Sequence, residues 1–581
     1  MTEPLTPDRL LRVDLSTRSV TSERVPKPWL RKFIGGKGLG ARYLYDELAP
    51  GTDPLGPENV VLFMLGPLTG VLPGDARYAA VTKSPLTGTF LDSYGGGEFP
   101  AVLAGALDDH IGVLVEGEAS EPLRLDIESG DATLEPSDNW GEDTVSTAES
   151  HDGAVACIGP AGEGRVAYAT IASDAGEHHA GRGGAGAVLG AKRLKTVVAR
   201  GDPPTGLETL RERYEERYES DAATGWHRAS GTVESIDFAD AVGALAAEGW
   251  QQRGVDDVDA VGIEAVREHA TERERPDDAA PGDFRIETDT GESVPRGGTA
   301  MSLGAGLGID EFDAVVELGA LCDDLGIDLI SAGSAVAWTI RASEDGILDR
   351  KIDFGDPVGA RRLLQEIATR DTPLGDVLAE GIDAAAHRFG GRELVPTVKA
   401  MALPAYDPRG APSMALAYAT SDRGACHRRA LPIENEVFED GWTPERVATA
   451  VAEEQDRRAV LWSLVLDDFV APVFSDLGAE WLAAAGVVPD TDLRTVGERI
   501  WTLTRLFNVR EGFDRADDAL PPSLAGDDGI DPESFETTLD RYYEVREWTA
   551  DGRPTRTLLD RVGLDNVDRN GLNGLPVQSD I

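Results

Sequence analysis

Glycine and arginine, more than any nucleophile, mark the places where this sequence could do chemistry. In FIGGKGLGARYLYDE (33–47), glycines at 35, 36, 38 and 40 precede a helix-like segment. Such a loop presents backbone N–H groups to an anion, and Lys37 adds a positive charge. A plain glycine turn between strand and helix has the same pattern. In GPLTGVLPGDARYAAVTKSPLTGTFLDSYGGGEFP (66–100), two PLTG repeats, Arg77, Lys83 and a triple glycine containing Gly95 and Gly96 gather loops with little side-chain bulk. They read either as hairpin turns or as a cradle for a large phosphate-bearing cofactor. In GRGGAGAVLGAK (181–192), Gly183 and Gly184 open a helix whose N-terminus favours phosphate, and Arg182 can pair with it in bidentate fashion. This is not GxxxxGK[ST]. Nor is it the dinucleotide GxGxxG, because no acidic ribose partner follows at the required distance.

Together the three stretches resemble the N-terminal domain of the aldehyde:ferredoxin oxidoreductase family. IGGKGLGARYLYDE, GPLTG, KSPLTG, IGPAGE and AGRGGAGAVLGAKRLK stand in that family's order and spacing. The likeness continues at GIDEFDAVVELGALCDDLGIDLIS (308–331) and LPAYDPRGAPSMALAYATSDRGACHRRA (403–430). The resemblance implies an α+β fold: an N-terminal domain of two β-sheets as the base for a cofactor, covered by two mostly α-helical domains. It implies a tungsten (or molybdenum) bis-pterin held by dithiolene sulfur, with magnesium a further ion compatible with the phosphates. Family members oxidise an aldehyde to a carboxylic acid and pass electrons through a 4Fe-4S cluster to ferredoxin. Many are dimers, so a homodimer is compatible.

The resemblance also assigns residues. Arg77 and Arg182 match arginines near the pterin phosphates; Lys37, Lys83, Gly95, Gly96, Gly183 and Gly184 belong to the same cradle. The family's DxxGLD pterin motif is present as DDLGID, so Asp323 and Asp328 match pterin contacts. Carboxylates suit the N–H edge of a pterin; a helix-end role is the alternative for Asp323. His427, in RGACHRR, matches a histidine beside the metal and can shuttle a proton near neutrality. No protein ligand to the metal is expected. Cys426 is therefore not assigned to it, and Cys157 and Cys322 read as small core residues.

Departures from the family pattern fall where electrons and protons move. The stretch matching the cluster motif CxxCxxxC is RERPDDAA (273–280). A second motif, DxxGLC, is matched by WSLVLD (462–467), with Trp462 for the aspartate, Val465 for the glycine and Asp467 for the last cluster cysteine. The chain holds three cysteines and no CxxC pair, too few for a four-thiolate cluster. The family's acid/base glutamate falls on Gly298, with Glu287 and Glu292 as nearby alternatives. Two readings follow. One is an aldehyde oxidoreductase whose electrons leave by another route, to ferredoxin or a different acceptor. The other is a non-catalytic pterin-binding paralogue, a partner subunit of an active homologue or a relic of the fold.

The elements that position these residues are legible in outline. Residues 1–203 carry short apolar runs between turn signals, such as VVLFMLGP (60–67) and YAAVTK (78–83), and read as strands. The breaker DPP at 202–204 ends this domain. Helical periodicity dominates from 204, with domains expected at 204–396 and 397–581. Residues 271–298 read as a long loop, and the chain after about 550 as irregular. The composition holds 55 basic against 104 acidic residues, a formal charge of −49. That resembles the solvated surface of salt-accumulating microbes and excludes nucleic-acid binding, which needs clustered basic residues. No apolar run of ~18–20 residues spans a membrane, and no secretory leader is read at the start. The expected location is cytoplasmic.

Overall fold

The computed structural model describes residues 6–288, 291–526, 529–565 and 567. Two six-stranded sheets occupy the N-terminal third. The first contains β1 (Arg9–Asp14), β2 (Ser19–Arg24), β3 (Val61–Met64), β4 (Tyr78–Lys83), β5 (Phe90–Gly95) and β6 (His110–Glu116), in the order β2-β1-β6-β3-β4-β5. The second contains β7 (Leu123–Glu128), β8 (Asp131–Pro136), β9 (Ala154–Cys157), β10 (Ile171–Ser173), β11 (His178–Ala180) and β12 (Leu194–Arg200), in the order β11-β10-β9-β12-β7-β8. Each sheet has one parallel pair, β1 with β6 and β7 with β12, amid antiparallel neighbours.

The central strands are apolar on both faces because both faces are covered. In β3, Val61 and Phe63 enter the core between the sheets, while Leu62 and Met64 enter a second core shared with the C-terminal helices. Tyr78 and Ala80 of β4 alternate in the same way with Ala79 and Val81. A period of two thus divides each strand between two cores. The second core carries Trp462 of the helix Pro444–Ser463 and Trp501 of the helix Leu493–Arg510. A third, mainly helical core forms around the helices Phe312–Leu325 and Leu329–Glu344, and contains Cys322. The arrangement is α+β, as the resemblance implies.

Two expectations are corrected. Residues 271–298 are not one long loop. Three short strands, Ala270–Arg273, Phe284–Thr288 and Gly291–Ser293, pair antiparallel there. Their polar, charged sequence hides the period because most positions are exposed or half-buried: Ile286, with Ala270 and Phe284 beside it, enters a small apolar cluster, while Arg285 pairs with Glu292 across the strands. The region after 550 is also not irregular throughout, since Arg556–Val562 is a helix capped by Thr555. The polar tail from 568 onward lies outside the described residues. No helix among the described residues is long and apolar enough to cross a membrane.

Candidate active site

A cavity of about 1740 Å³ opens where the second sheet meets the two helical cores. Arg77, Arg182, Asp323, Asp328, His427 and Gly298 all reach its wall from distant parts of the sequence.

The Arg182 loop follows β11 and is pinned from the first sheet. Ser93 Oγ donates to Arg182 O at 3.0 Å and Ser84 Oγ to Gly183 O at 2.7 Å. Arg182, Gly183 and Gly184 all have positive φ, a conformation that glycine adopts freely and Arg182 only at a cost. The Arg182 guanidinium donates to Ala425 O at 2.6 Å and Ala402 O at 2.5 Å, and faces Asp328 at 3.6 Å. Burial pushes its pKa down.

The DDLGID segment docks as a short antiparallel bridge. Thr170 N donates to Gly326 O at 2.9 Å, and Asp328 N donates to Tyr168 O at 3.1 Å. Gly326, at φ +67°, ends the helix Phe312–Leu325, and Asp328 caps the next through Ser331 N. The two aspartates therefore flank one tight turn between helices. Asp323 Oδ1 lies 3.2 Å from His179 Nε2. Burial raises the Asp323 carboxyl well above the ordinary carboxylate range. Burial likewise lowers His179 to about 4, while His179 Nδ1 accepts from Thr170 Oγ1 and Nε2 donates to Gly176 O.

His427 begins a short helical turn after Cys426. Its ring lies 5.5 Å from that of Tyr406, and its Nδ1 is buried without a partner. Burial, reinforced by Arg428, Arg182, Arg458 and Arg423, holds its pKa well below the usual histidine value. His427 is thus a neutral imidazole with one free nitrogen. Beside it, burial raises the Cys426 thiol but Arg423, Arg429 and Arg182 outweigh this and bring it down to about 7; Arg423 donates to Sγ at 3.0 Å.

Other sequence-assigned residues stand behind the wall. Lys37 is fully buried, with Nζ 3.2 Å from Asp92 and 2.5 Å from Asp422, and Arg429 pairs with the same two carboxylates. Asp92 lies on β5 and Asp422 opens the segment carrying Arg423, Cys426 and His427, so Lys37 fixes the loop bearing His427. Lys83 is tied to Glu511 at 2.6 Å and Thr52 O at 2.8 Å, away from the cavity. Gly95 makes room for the Tyr78 ring, and a Cβ on Gly96 would lie 2.3 Å from Asp75 Oδ2. Gly35 and Gly36 admit the backbone of Trp462 and Ser463. Gly298 faces the cavity with open space around it, whereas Glu287 and Glu292 are exposed on the three-stranded sheet and do not line it.

His179, Tyr406 and Arg423 also line the cavity and were not singled out from the sequence. Their signal was adjacency alone: His179 precedes AGRGG, Tyr406 lies in LPAYDPRG and Arg423 in DRGACH.

The wall carries unspent donors. Arg77 Nε, Arg182 Nε, Arg423 Nε and Arg429 Nη1, in four residues of the wall, are buried without hydrogen-bond partners. Each such orphan costs ~1–3 kcal/mol, so several together around one cavity fit an anionic, acceptor-rich ligand that satisfies them. A phosphate-bearing pterin is of that chemistry, and Asp328 offers an acceptor to its N–H edge.

Known proteins match the whole arrangement. Residues 10–201 match the model of the aldehyde ferredoxin oxidoreductase N-terminal domain, and residues 208–564 that of the same family's domains 2 and 3. The tungsten-containing aldehyde ferredoxin oxidoreductase of Pyrococcus furiosus is 33% identical over 601 residues, covering 96% of this chain and 98% of that protein. An aliphatic sulfonate oxidoreductase, WOR-like subunit, of the same organism is 27% identical, with 97% of each chain covered. Among solved structures, the active-site complex BamBC of benzoyl coenzyme A reductase superposes with a TM-score of 0.83 at 22% identity, covering 97% of this chain and 98% of that one. At that identity the likeness concerns the fold.

Proposed function

Because the chain belongs to the aldehyde ferredoxin oxidoreductase family, we propose that it binds a tungsten- or molybdenum-bearing bis-pterin in this cavity and oxidises an aldehyde to the carboxylic acid there. The observation that carries the reading is the set of unpartnered buried donors beside the uncharged His427. When bound, the metallopterin would supply two-electron redox chemistry. Arg77 and Arg182 would hold its phosphates, and Asp323 and Asp328 its N–H edges.

The overall change is RCHO + H₂O → RCOOH + 2 e⁻ + 2 H⁺. The protein must therefore receive protons as well as position the aldehyde. His427 is the candidate acceptor because its ring lines the cavity with Nδ1 unpartnered; burial and the neighbouring arginines lower its basicity, and an anionic cofactor beside those arginines would offset their charge. Tyr406 packs against the same ring and limits its orientation.

The test is metal analysis of protein purified in concentrated salt, followed by aldehyde-dependent reduction of a viologen dye. Near-stoichiometric tungsten or molybdenum with turnover supports the proposal, and His427→Ala should lower kcat by about 10²-fold or more. Full metal loading without turnover would favour the second reading, a pterin-binding subunit without its own catalysis. One observation speaks for that reading: the cavity position expected to carry an acid/base glutamate is Gly298.

A further inference from the structure

Asp467, at the last cluster-cysteine position of the family pattern, belongs to one ionic network with Glu274 and Arg275 of the stretch that matches the other three. Asp467 is fully buried. Its Oδ2 accepts from Asp75 N at 3.1 Å, and its Oδ1 accepts from Arg77 Nη2 at 3.2 Å and from Phe469 N at 3.3 Å. Asp75 also pairs with Arg77 at 3.3 Å and Arg275 at 3.6 Å, and takes Gly97 N at 3.0 Å. His178 lies 3.8 Å from Asp75 and 3.3 Å from Glu274. Glu274 is held by both ends of the Arg296 guanidinium, at 2.6 and 2.8 Å, and Arg296 reaches Asp283 at 2.9 Å.

Three arginines and one histidine thus meet four carboxylates in one unbroken chain. It joins the N-terminal sheets (Asp75, Arg77, His178), the three-stranded region (Glu274, Arg275, Asp283, Arg296) and the turn after the helix Pro444–Ser463 (Asp467). No thiol takes part. Cys157 sits in β9, Cys322 in the third core and Cys426 against Arg423. An iron–sulfur cluster needs four thiolate or imidazole ligands around it, and the side chains gathered here are carboxylates, guanidinium groups and one imidazole that already faces two carboxylates. The residues present do not fit a cluster.

We infer that this network is an ionic clasp standing in place of an iron–sulfur cluster: it joins three distant parts of the chain without iron, and Asp467 acts as the positioning residue for Arg77. Arg77 belongs both to the clasp, through Nη2, and to the cavity wall, where its Nε is unpartnered. Asp467 and Asp75 both hold Nη2, and so set where the guanidinium stands in the cavity wall. Removing one member of such a buried network strands its partner's charge, which is why loss of Asp467 should be felt at the cavity. The positioning role rests on the pterin reading above. The absence of iron and the joining role do not.

The experiment compares wild type, Asp467→Asn and Asp467→Glu, expressed with iron and tungstate supplied. Iron, acid-labile sulfide, tungsten, oxidised-pterin fluorescence and melting temperature are read on each. Wild type should carry negligible iron and sulfide, and anaerobic reconstitution should add no cluster absorbance. Asp467→Asn keeps the shape and the acceptor for Asp75 N but removes the negative charge that faces Arg77. It should melt several degrees lower and retain about tenfold less pterin and tungsten, with Asp467→Glu recovering part of both. About four iron atoms with matching sulfide per wild-type chain would overturn the inference, as would an Asp467→Asn protein that melts and loads like wild type. A wild type free of pterin would defeat the pterin reading alone, because iron content and the melting shift still decide the clasp.

Discussion

At the scale of single residues, charge state follows from what surrounds each group. His179 is held to about 4 chiefly by burial, while in the unfolded chain it titrates near ~6.5. Between those values the unfolded chain binds the extra proton and the folded one does not, so stability falls as pH drops through this window. Denaturant unfolding at pH steps across it should show that slope. His179→Asn, which retains an acceptor for Thr170 Oγ1, should flatten the slope, removing up to ~3 kcal/mol of the loss summed across the window. An unchanged slope would mean that His179 is protonated in the folded state. Such pairings were invisible in the sequence. AGRGG and DDLGID pointed to Arg182, Asp323 and Asp328, yet nothing in the spacing said that His179 would meet Asp323, because the two come from different cores. Lys37 is the complementary lesson. Its glycine loop suggested an anion site, but its ammonium holds Asp92 and Asp422, and so acts on His427 through the loop that carries it.

At the scale of elements, periodicity was legible where one face or both faces are apolar, as in β3, β4 and the helix Pro444–Ser463. It failed for the strands between 270 and 293, where most positions are exposed or half-buried and Arg285 pairs with Glu292 across the strands. The same region carries the change with the clearest chemical consequence. Gly297 and Gly298 form one short helical turn but differ sharply in space: a Cβ on Gly297 would lie 2.2 Å from Ser235 Oγ, whereas one on Gly298 would meet nothing closer than Leu329 Cδ1 at 3.5 Å. A longer side chain at 298 is therefore tolerated and points into the cavity wall. Gly298→Glu should fold normally and raise aldehyde turnover by about tenfold or more if a carboxylate is what this site lacks. Steady-state kcat on metal-loaded protein checks it. No gain would place proton transfer wholly on His427.

At the scale of the whole molecule, two kinds of electrostatics are separated by depth. The surface bears most of a −49 charge, whose self-repulsion is screened over ~10 Å at 0.1 M salt and ~3 Å at 1 M. Asp467 and the Lys37 cluster lie inside, out of reach of mobile ions: the side chains of Asp467, Asp92 and Lys37 are fully buried, while Arg275 and Arg296 of the clasp are partly exposed. Raising KCl from low to molar concentration should therefore increase the melting temperature by on the order of 10 °C, because it relieves the surface alone. The penalty of Asp467→Asn should be nearly the same at both salt concentrations, because salt does not screen the partner that variant leaves unpaired. Melting curves of both proteins across a salt series separate the two contributions. A penalty that vanishes in molar salt would place Asp467 in contact with solvent ions and would remove the argument that it fixes Arg77 from within.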